Sequence, residues 1–345
     1  MAFEELRYSK SQIDKAGDII KKYFSTQGYI SGDVIKAMEI LNNWRSSHSY
    51  VLNTFNATLR EKAKRIDLSA LIAQRLKRLP SIIKKLERRP TMRLSSMQDV
   101  GGIRAVVSNI DKIYKLEKDY ETKRFKHEPL NHDNYIDKSK GSGYRSLHLL
   151  FRYKNEKAKI YNGLNIEIQL RTKKMHAWAT AIETVDTFLK YSLKASEGPQ
   201  EWLDYFKIAS NSIAFIEDTP RLQEFVSLSK QESFEITKES HEKLRVEHYL
   251  QGYTLAINHL TKKQNGSYYI LILDLEKREL KYFSFGRDRL SEANGKYAEL
   301  EKQNDTIIGK KQIVLVSAES LEKLKLAYPN FFSRYPRIYK NNSRY

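Results

Sequence analysis

The strongest constraint on the fold is a strict alternation of apolar and polar residues near the middle of the chain. Leu164, Ile166, Ile168 and Leu170 alternate with Asn165, Glu167, Gln169 and Arg171. A period of two is typical of a β-strand with one buried face. The alternation therefore predicts a strand whose other face presents a carboxylate, an amide and a guanidinium.

A second strand is predicted upstream, where the apolar run from Ile103 to Val107 follows a double glycine. Asp99 then lies in the turn before this strand, and Arg104 projects from it. If Asp99 and Glu167 converge, they offer two carboxylates to one Mg²⁺, which proteins usually hold through one or two carboxylates plus substrate phosphates. The alternative is that both are ordinary half-exposed strand acids.

Composition limits the kind of metal site. The chain has 345 residues, no cysteine and 8 scattered histidines, so thiolate zinc sites are excluded and a bound metal needs mainly oxygen ligands. Its length and a hydrophobic content of 40% allow two domains with sizeable cores. The net charge of +19 favours polyanionic partners such as nucleic acid or nucleotides.

The ends of the chain and its hydropathy predict a cytoplasmic protein without a membrane partner. No run approaches the roughly 18 consecutive apolar residues of a membrane span. The acidic start from Met1 to Glu5 also lacks the basic and then apolar build of a signal peptide.

Apolar residues at helical spacing predict three helical runs before residue 66, with Gly28 and Gly32 separating the first from the second. A further helix is predicted from the spacing of Ile72, Leu76, Leu79, Ile83 and Leu86, which makes one apolar stripe. We expect Pro80 to end or kink it. Residues 110–140 are expected to be helical at first and then irregular.

Basic side chains flank this stripe on both edges. Between Arg60 and Arg93 there are twelve Lys or Arg residues against three acids. Arg75, Arg78 and Lys85 fall on one edge and Lys77, Lys84 and Arg88 on the other. This placement indicates an anion cradle, whereas a solvated basic face is the alternative.

A glycine-rich turn, Gly141-Ser142-Gly143, precedes Tyr144 and Arg145. Glycine permits positive φ and close backbone approach, so Tyr144 is placed to stack on a base while Arg145 reaches a phosphate. A hairpin turn followed by a core tyrosine is the alternative. No Gly-x-x-x-x-Gly-Lys-Ser/Thr motif occurs, so a P-loop nucleotide site is excluded.

Three runs together resemble the synthetase domain of the RelA/SpoT family, which transfers pyrophosphate from ATP to a ribose 3′-hydroxyl. They are the stretches 98–104, 141–148 and 166–172, followed by Met175-His176-Ala177-Trp178-Ala179. The resemblance covers about Ala73 to Tyr191. It implies an α+β fold, related to nucleotidyltransferases, with a mixed central sheet flanked by helices.

The resemblance also implies roles for individual residues. Asp99 and Glu167 are the catalytic, Mg²⁺-holding acids, and Glu167 is a candidate general base. The residues implied to grip ATP are Arg75, Lys77, Ser81, Lys85 and Arg104. Those implied to bind the acceptor are Tyr144, Arg145, His148, Gln169, Arg171, His176 and Glu183. A basic or histidine residue usually follows the glutamate, but Thr184 stands here, which leaves the acceptor open.

The C-terminal part is predicted to form a second, small β-rich α+β domain. We predict a synthetase domain at 1–251 and a regulatory domain at 252–345. The predicted elements of the latter are strands at 253–258, 268–275, 280–285 and 313–316 and a helix at 318–326. The helical stretches expected before it run to about 215 and from 235 to 250.

This layout resembles the fused toxin–antitoxin, CapRel type of small alarmone synthetase, in which a zinc-finger-like domain without zinc closes over the ATP site. The resemblance implies an autoinhibitory aromatic pair, which is Tyr328 and Phe331 in this sequence. The alternative is that these two rings only pack the end of a helix. The resemblance also implies a phage structural protein as the trigger.

Three functions follow as hypotheses. In the first, favoured by the charge placement, ATP supplies pyrophosphate to the 3′ end of tRNA, which blocks translation during phage defence. In the second, the acceptor is a free guanine or adenine nucleotide and the product an alarmone. In the third, the chain is a non-catalytic RNA-binding protein.

Overall fold

The structure is a computed structural model of the chain. It describes residues 3–26, 31–121, 125–189, 191–250, 268–274, 279–286, 288–301, 311–317, 326 and 337–340. The predicted strand at 253–258, most of the predicted helix at 318–326, and Tyr328 and Phe331 lie outside these residues.

Two helices form the N-terminal layer. They are α1 (Lys10–Thr26) and α2 (Gly32–Ile66). The hydroxyl of Ser31 accepts a hydrogen bond from the backbone N–H of Val34 and caps α2. The predicted break at Gly32 is confirmed, but the second and third helical runs are one helix of 35 residues. Its buried side chains, among them Leu41, Phe55 and Leu59, pack on the sheet.

A nine-stranded mixed sheet forms the centre, in the order β3-β4-β5-β2-β1-β8-β6-β7-β9. The strands are β1 (Leu71–Leu76), β2 (Gly101–Val107), β3 (Glu128–Asn134), β4 (Leu147–Arg152), β5 (Asn165–Thr172), β6 (Tyr268–Asp274), β7 (Glu279–Phe285), β8 (Lys311–Ser317) and β9 (Arg337–Lys340). The mixed, helix-flanked sheet confirms the predicted α+β fold.

The two strands predicted around Arg104 and Glu167 lie side by side. β2 and β5 are parallel, with Gly102 opposite Glu167 and Arg104 opposite Gln169. Both are central strands, so one face of each contributes to the core through residues such as Ile103 and Ile168. The alternating pattern at 164–171 is therefore confirmed as a strand with one buried face.

The helix predicted across residues 72–86 is wrong in its first half. Residues 71–76 form β1, and the helix α3 (Leu79–Arg88) begins only after it. Pro80 lies in the first turn of α3, where its missing N–H costs no hydrogen bond. Apolar residues spaced four and three apart fit a helix, but Ala73 and Gln74 are also buried, as a strand inside a sheet requires.

The segment 110–140 is also more regular than predicted. Helix α4 (Ile110–Glu121) is followed by the edge strand β3, where an irregular stretch was expected. Most β3 side chains are exposed or half-buried, so the sequence offers no apolar alternation there. The strand exists because β4 supplies antiparallel hydrogen-bonding partners.

Three further helices follow β5, and the first of them packs against β5 and β2. They are α5 (Lys173–Leu189), α6 (Gln200–Glu217) and α7 (Lys230–Lys243). Tyr144, Trp178 and Phe206 belong to the hydrophobic cluster between them. Among the helices in the described ranges, none combines the length and apolarity needed to cross a membrane.

The described C-terminal strands continue the same sheet. β8 pairs with β1 through Ser317 opposite Gln74 and Val316 opposite Arg75, and β6, β7 and β9 follow outward. Helix α8 (Leu290–Glu301), which was not predicted, packs against α2. Residues of β6–β8 and α8 share one hydrophobic cluster with the N-terminal helices. The division at 251/252 stays a prediction.

Candidate active site

One end of the β1–β2 pair holds the first half of the site. Asp99 lies just before β2, Lys77 just after β1, and Lys85 in the second turn of α3. Asp99 Oδ2 accepts a hydrogen bond from Lys77 Nζ at 2.7 Å, and its Oδ1 accepts one from Lys85 Nζ, also at 2.7 Å. Both predicted phosphate-binding lysines therefore converge on the predicted metal acid.

Burial and charge act against each other in this cluster. Burial alone would raise the pKa of Asp99, but the charges and hydrogen bonds of Lys77 and Lys85 outweigh it and hold the pKa below its ordinary value. Burial lowers the pKa of Lys77 by more than the attraction of Asp99 raises it. The Asp99 carboxylate is thus ionised near neutral pH.

The second half of the site is a hydrogen-bonded chain between β4, β5 and the turn before β4. Glu167 Oε1 lies 2.9 Å from His148 Nδ1, and Gln169 Nε2 donates to Glu167 Oε2 at 2.6 Å. His148 Nε2 lies 2.8 Å from the hydroxyl of Tyr144, to which Arg171 Nη2 donates at 2.6 Å. The antiparallel register of β4 and β5 brings these side chains together.

The hydrogen-bonded side chains of this half of the site shift one another's pKa values. Burial would raise the pKa of Glu167, but the hydrogen bond and charge of His148 and the amide of Gln169 hold it far below its ordinary range. Burial would likewise raise the pKa of Tyr144, yet the charges of Arg171, His148 and Lys194 bring it to about 6. Burial would lower the pKa of His148, but Tyr144 and Glu167 raise it.

The two acids fit the predicted Mg²⁺ in donor type. In the described part of the chain no group of three or more His, Cys, Asp or Glu residues could hold a metal alone. Two ionised carboxylates are the protein share that Mg²⁺ takes when substrate phosphates supply further oxygens. Because Lys77 and Lys85 bond to Asp99 in this structure, they would transfer to phosphates when a metal binds. The metal assignment stays a prediction.

The other residues predicted to bind ATP border this cluster. Arg104 Nε and Nη2 lie 3.4 and 3.3 Å from Gln169 Oε1. Arg75 lies in β1 opposite Gly102, and its charge acts on Lys77. Ser81 lies in the first turn of α3, whose N-terminal N–H groups favour anions.

The predicted basic cradle is partly neutralised. Of the twelve cations between residues 60 and 93, at least five form ion pairs with described residues, namely Lys62, Arg65, Lys77, Lys85 and Arg88. The partner of Lys62 and Arg65 is Asp119 in α4, and not the predicted metal acid Asp99. The basic run therefore supports a continuous polyanion track less strongly than the sequence suggested.

The Arg145 side chain is buried and hydrogen-bonded within the protein, not exposed to a ligand. It is 3% exposed, and it donates through Nε to Ser210 Oγ and through Nη1 to the carbonyl of Ile136. Its Nη2 has no hydrogen-bond partner among the described residues, but the predicted contact with an acceptor phosphate would require this buried side chain to be uncovered. The preceding Gly143 has φ +85°, and a Cβ there would lie 2.9 Å from Ser210 Cβ, so the turn needs glycine to approach α6.

The remaining acceptor-side residues lie on α5. His176 and Glu183 are two turns apart, as predicted. His176 is buried and its Nε2 donates to the carbonyl of Leu326 at 2.9 Å. Burial and the charges of Arg104 and Arg171 lower its pKa to about 3, so it is neutral. Glu183 Oε1 accepts from Lys194 Nζ at 2.7 Å.

Two residues near the site carried no sequence signal. Arg45, in α2, is 1% exposed, and its Nε donates to the carbonyl of Lys77 at 2.6 Å. Its Nη2 also hydrogen-bonds the hydroxyl of Tyr297 in α8. Arg45 therefore joins the C-terminal segment to the backbone of a predicted ATP-binding residue. The second residue without a sequence signal is Lys194, which pairs with Glu183.

Tyr144 provides a test of the acceptor side. Tyr144→Ala is expected to weaken acceptor use by roughly 1–3 kcal/mol more than ATP binding, because stacking on a base is worth about that much. The ring is 4% exposed and hydrogen-bonded through its hydroxyl, so stacking requires the ring to be uncovered. Steady-state KM values for both substrates measure the effect.

Two controls separate stacking from packing at Tyr144. Tyr144→Phe keeps the ring and should retain most acceptor binding, and thermal unfolding reports the cost of the cavity in Tyr144→Ala. The Tyr144 ring would have only a packing role if Tyr144→Ala raised the KM values for ATP and for the acceptor equally while Tyr144→Phe left both unchanged.

Two half-buried acids, Asp99 and Glu167, with cationic side chains beside them are an arrangement that suits phosphoryl-transfer chemistry, in which positioning and charge neutralisation dominate. Residues 74–194 match the family model described as the region found in RelA/SpoT proteins. This stretch of the chain is therefore similar to that region, which confirms the RelA/SpoT part of the predicted resemblance.

Relatives match over the same part of the chain. GTP pyrophosphokinase YjbM of Bacillus subtilis is 32% identical over 123 residues, which cover 35% of this chain and 57% of the relative. A GTP pyrophosphokinase of Haemophilus influenzae is 30% identical over 118 residues, covering 34% of this chain and 14% of the relative. The chain thus spans little more than half of the first relative and a small part of the second.

Among solved structures, the small alarmone synthetase 1 of Bacillus subtilis bound to its product pppGpp superposes with a TM-score of 0.43. The two are 22% identical, over 50% of this chain and 89% of that chain.

Proposed function

We propose that this protein transfers the β,γ-pyrophosphate of ATP to the 3′-hydroxyl of a nucleotide. The observation that carries the proposal is the pair of ionised acids, Asp99 held by Lys77 and Lys85, and Glu167 held by His148 and Gln169. The RelA/SpoT match over residues 74–194 and the name GTP pyrophosphokinase of two relatives support it.

In this reaction the 3′-oxygen forms a bond to the β-phosphorus of ATP, and the bond from that phosphorus to the α,β-bridging oxygen breaks. The bridging oxygen leaves with AMP, and the hydroxyl proton goes to Glu167 as general base. Lys77, Lys85 and Arg104 neutralise charge on the transferring group. A bound Mg²⁺ would add charge neutralisation on the phosphates, held by Asp99 and Glu167.

For the acceptor, a free guanine nucleotide is the better supported candidate, and an adenine nucleotide is its variant. The names of the relatives support guanine. A second candidate is the 3′ end of tRNA, supported by the exposed Arg89 and Arg93 beyond α3 and by the net charge of +19. The ion pairs of five of the twelve clustered cations weigh against an extended RNA track.

One experiment tests these candidates together. The protein is incubated with Mg²⁺ and ATP labelled in the β or γ phosphate, with GDP, GTP, ADP and bulk tRNA offered in parallel. Label on a free nucleotide supports alarmone synthesis, and label on tRNA supports tRNA pyrophosphorylation. Label on neither contradicts the enzyme and leaves the RNA-binding alternative.

We further propose that the segment after residue 252 restrains the synthetase and that Tyr328 and Phe331 make the restraining contact at the ATP site. The described residue nearest to this pair, Leu326, accepts the hydrogen bond of His176 in α5. Arg104, a predicted ATP-binding residue, lies close enough for its charge to act on His176. The CapRel resemblance implies a phage structural protein as the trigger. To raise the population of the open state from 1% to 99%, the trigger would have to bind that state more favourably by about 5.5 kcal/mol.

Tyr328→Ala tests this restraint. In bacteria the variant is expected to inhibit growth more than wild type without any trigger, because removal of the ring favours the open state. Combining it with Glu167→Gln should abolish the added toxicity. A folded Tyr328→Ala protein with wild-type activity and toxicity would contradict the restraint and favour simple packing of this segment.

A further inference from the structure

Lys194 lies where the two acceptor-side elements meet, outside every motif considered above. It belongs to the short 3-10 turn Leu193–Ala195 that follows α5. Its Nζ is 2.7 Å from Glu183 Oε1 and 5.1 Å from the centroid of the Tyr144 ring. Its side chain is 31% exposed, so the ammonium group also reaches solvent.

The turn that carries Lys194 is firmly held. The side chain of Leu193 is fully buried, and its backbone N–H donates to Asp186 Oδ1 at 2.5 Å. Glu197, at the end of the loop, forms an ion pair with Arg88 of α3 at 2.5 Å. The ammonium group is therefore placed by the fold at a fixed point between α3, α5 and the glycine-rich turn.

Several cations act on the two acidic groups beside Lys194, the Glu183 carboxyl and the Tyr144 phenol. Burial would raise the pKa of Glu183, but the charges of Lys194, Arg75 and Arg104 hold it far below its ordinary range. Burial would also raise the pKa of Tyr144, yet Arg171, His148 and Lys194 lower it to about 6. A cluster of cationic side chains around one point attracts anions.

We propose that Lys194 is a specificity-determining residue of the acceptor side and that its ammonium group binds a phosphate of the acceptor, 5′ of the ribose that receives pyrophosphate. This assignment rests on the proposed function. An ammonium group has three N–H donors, and Glu183 takes one of them, so Lys194 can hold Glu183 and contact a phosphate oxygen together.

The phosphate has two possible sources with one chemistry. A free nucleotide carries it as a 5′-diphosphate or triphosphate, and an RNA 3′ end carries it as the last phosphodiester. A nucleoside without phosphate offers Lys194 no anion. The dependence of Lys194 on this phosphate therefore distinguishes ligand binding from a merely structural ion pair with Glu183.

The test is equilibrium binding, by isothermal titration calorimetry, of GDP, guanosine and bulk tRNA to the full chain in the presence of Mg²⁺ and a saturating non-hydrolysable ATP analogue. Lys194→Gln is expected to weaken the binding of GDP, or of tRNA if that is the acceptor, by about tenfold or more. Lys194→Arg should restore most of this affinity, and guanosine binding should not change.

Lys207→Gln is the matched control, because Lys207 of α6 forms a similar ion pair, 3.3 Å from Glu224. It should leave all three affinities unchanged. Equal weakening of guanosine and GDP by Lys194→Gln, no weakening of either phosphorylated ligand, or no binding of either ligand to wild type would overturn the assignment.

Failure of the Lys194 assignment can be distinguished from failure of the proposed function. Binding of GDP or tRNA that depends on Lys194, without transfer of label from ATP, would leave the assignment standing and contradict the enzyme. Transfer of label with an unchanged acceptor KM in Lys194→Gln would support the enzyme and overturn the assignment.

Discussion

Glu167→Gln is expected to lower the rate of pyrophosphate transfer by about 10²- to 10⁴-fold, the range that a positioned general base contributes. The amide keeps the size of the side chain and still accepts from His148 Nδ1, which lies 2.9 Å from Oε1. It removes the charge that holds a metal and the basicity that takes the hydroxyl proton. The fold should be retained, and ATP binding should change much less than the rate.

Steady-state transfer of labelled phosphate from ATP measures this loss, with thermal unfolding as the check on folding. Glu128→Gln is a suitable control, because Glu128 is an exposed acid of the same sheet paired with Arg152 at 2.8 Å. It should leave the rate unchanged. If Glu167→Gln retained most of the wild-type rate, Glu167 would be neither the general base nor the metal-holding carboxylate.

Asp99→Asn is expected to lower the transfer rate by at least about 10²-fold, since it removes both a metal-holding carboxylate and the partner of two lysines. ATP affinity should fall far less, because Lys77 and Lys85, each 2.7 Å from a carboxylate oxygen here, become free to contact phosphates. The expected signature is therefore a fall in kcat with a nearly unchanged KM for ATP.

The same substitution should also destabilise the protein by about 1–3 kcal/mol, because two half-buried ammonium groups lose their counter-ion. Asp119→Asn is the matched control, since Asp119 also lies between two cations, Lys62 at 2.9 Å and Arg65 at 3.3 Å. It should lower the unfolding temperature without affecting transfer. A normal rate in Asp99→Asn, or an equal loss of rate in Asp119→Asn, would contradict the assignment of Asp99.

The predictions that were confirmed are those whose signal is local. The alternation at 164–171 predicts β5, because successive side chains of a strand point to opposite faces of the sheet and one face of β5 packs in the core. Asp99 precedes β2 as predicted, although the strand begins at Gly101 and so includes the double glycine that was expected to come before it. The break at Gly32 follows from the capping residue Ser31.

Where the local signal was ambiguous, the prediction was wrong. The apolar spacing from Ile72 to Leu86 fits one helix, but it spans a strand and a separate helix that begins at Leu79. Strand β3 carries no apolar alternation, since it lies at the sheet edge and gains its backbone hydrogen bonds from β4. In both cases the neighbouring strands, which are distant in sequence, decided the structure.

The amino-acid sequence by itself determined the strands that carry Arg104 and Glu167, the place of Asp99 ahead of the first of them, and the similarity of residues 74–194 to RelA/SpoT proteins. Short-range periodicity and motif spacing encode all of these. Only the tertiary structure decided which side chains meet. The bond between Arg45 and the carbonyl of Lys77 joins positions 32 residues apart, and that between Arg45 and Tyr297 joins positions 252 apart. Such pairs depend on the path of the whole chain through the sheet, and no local pattern of residues encodes that path.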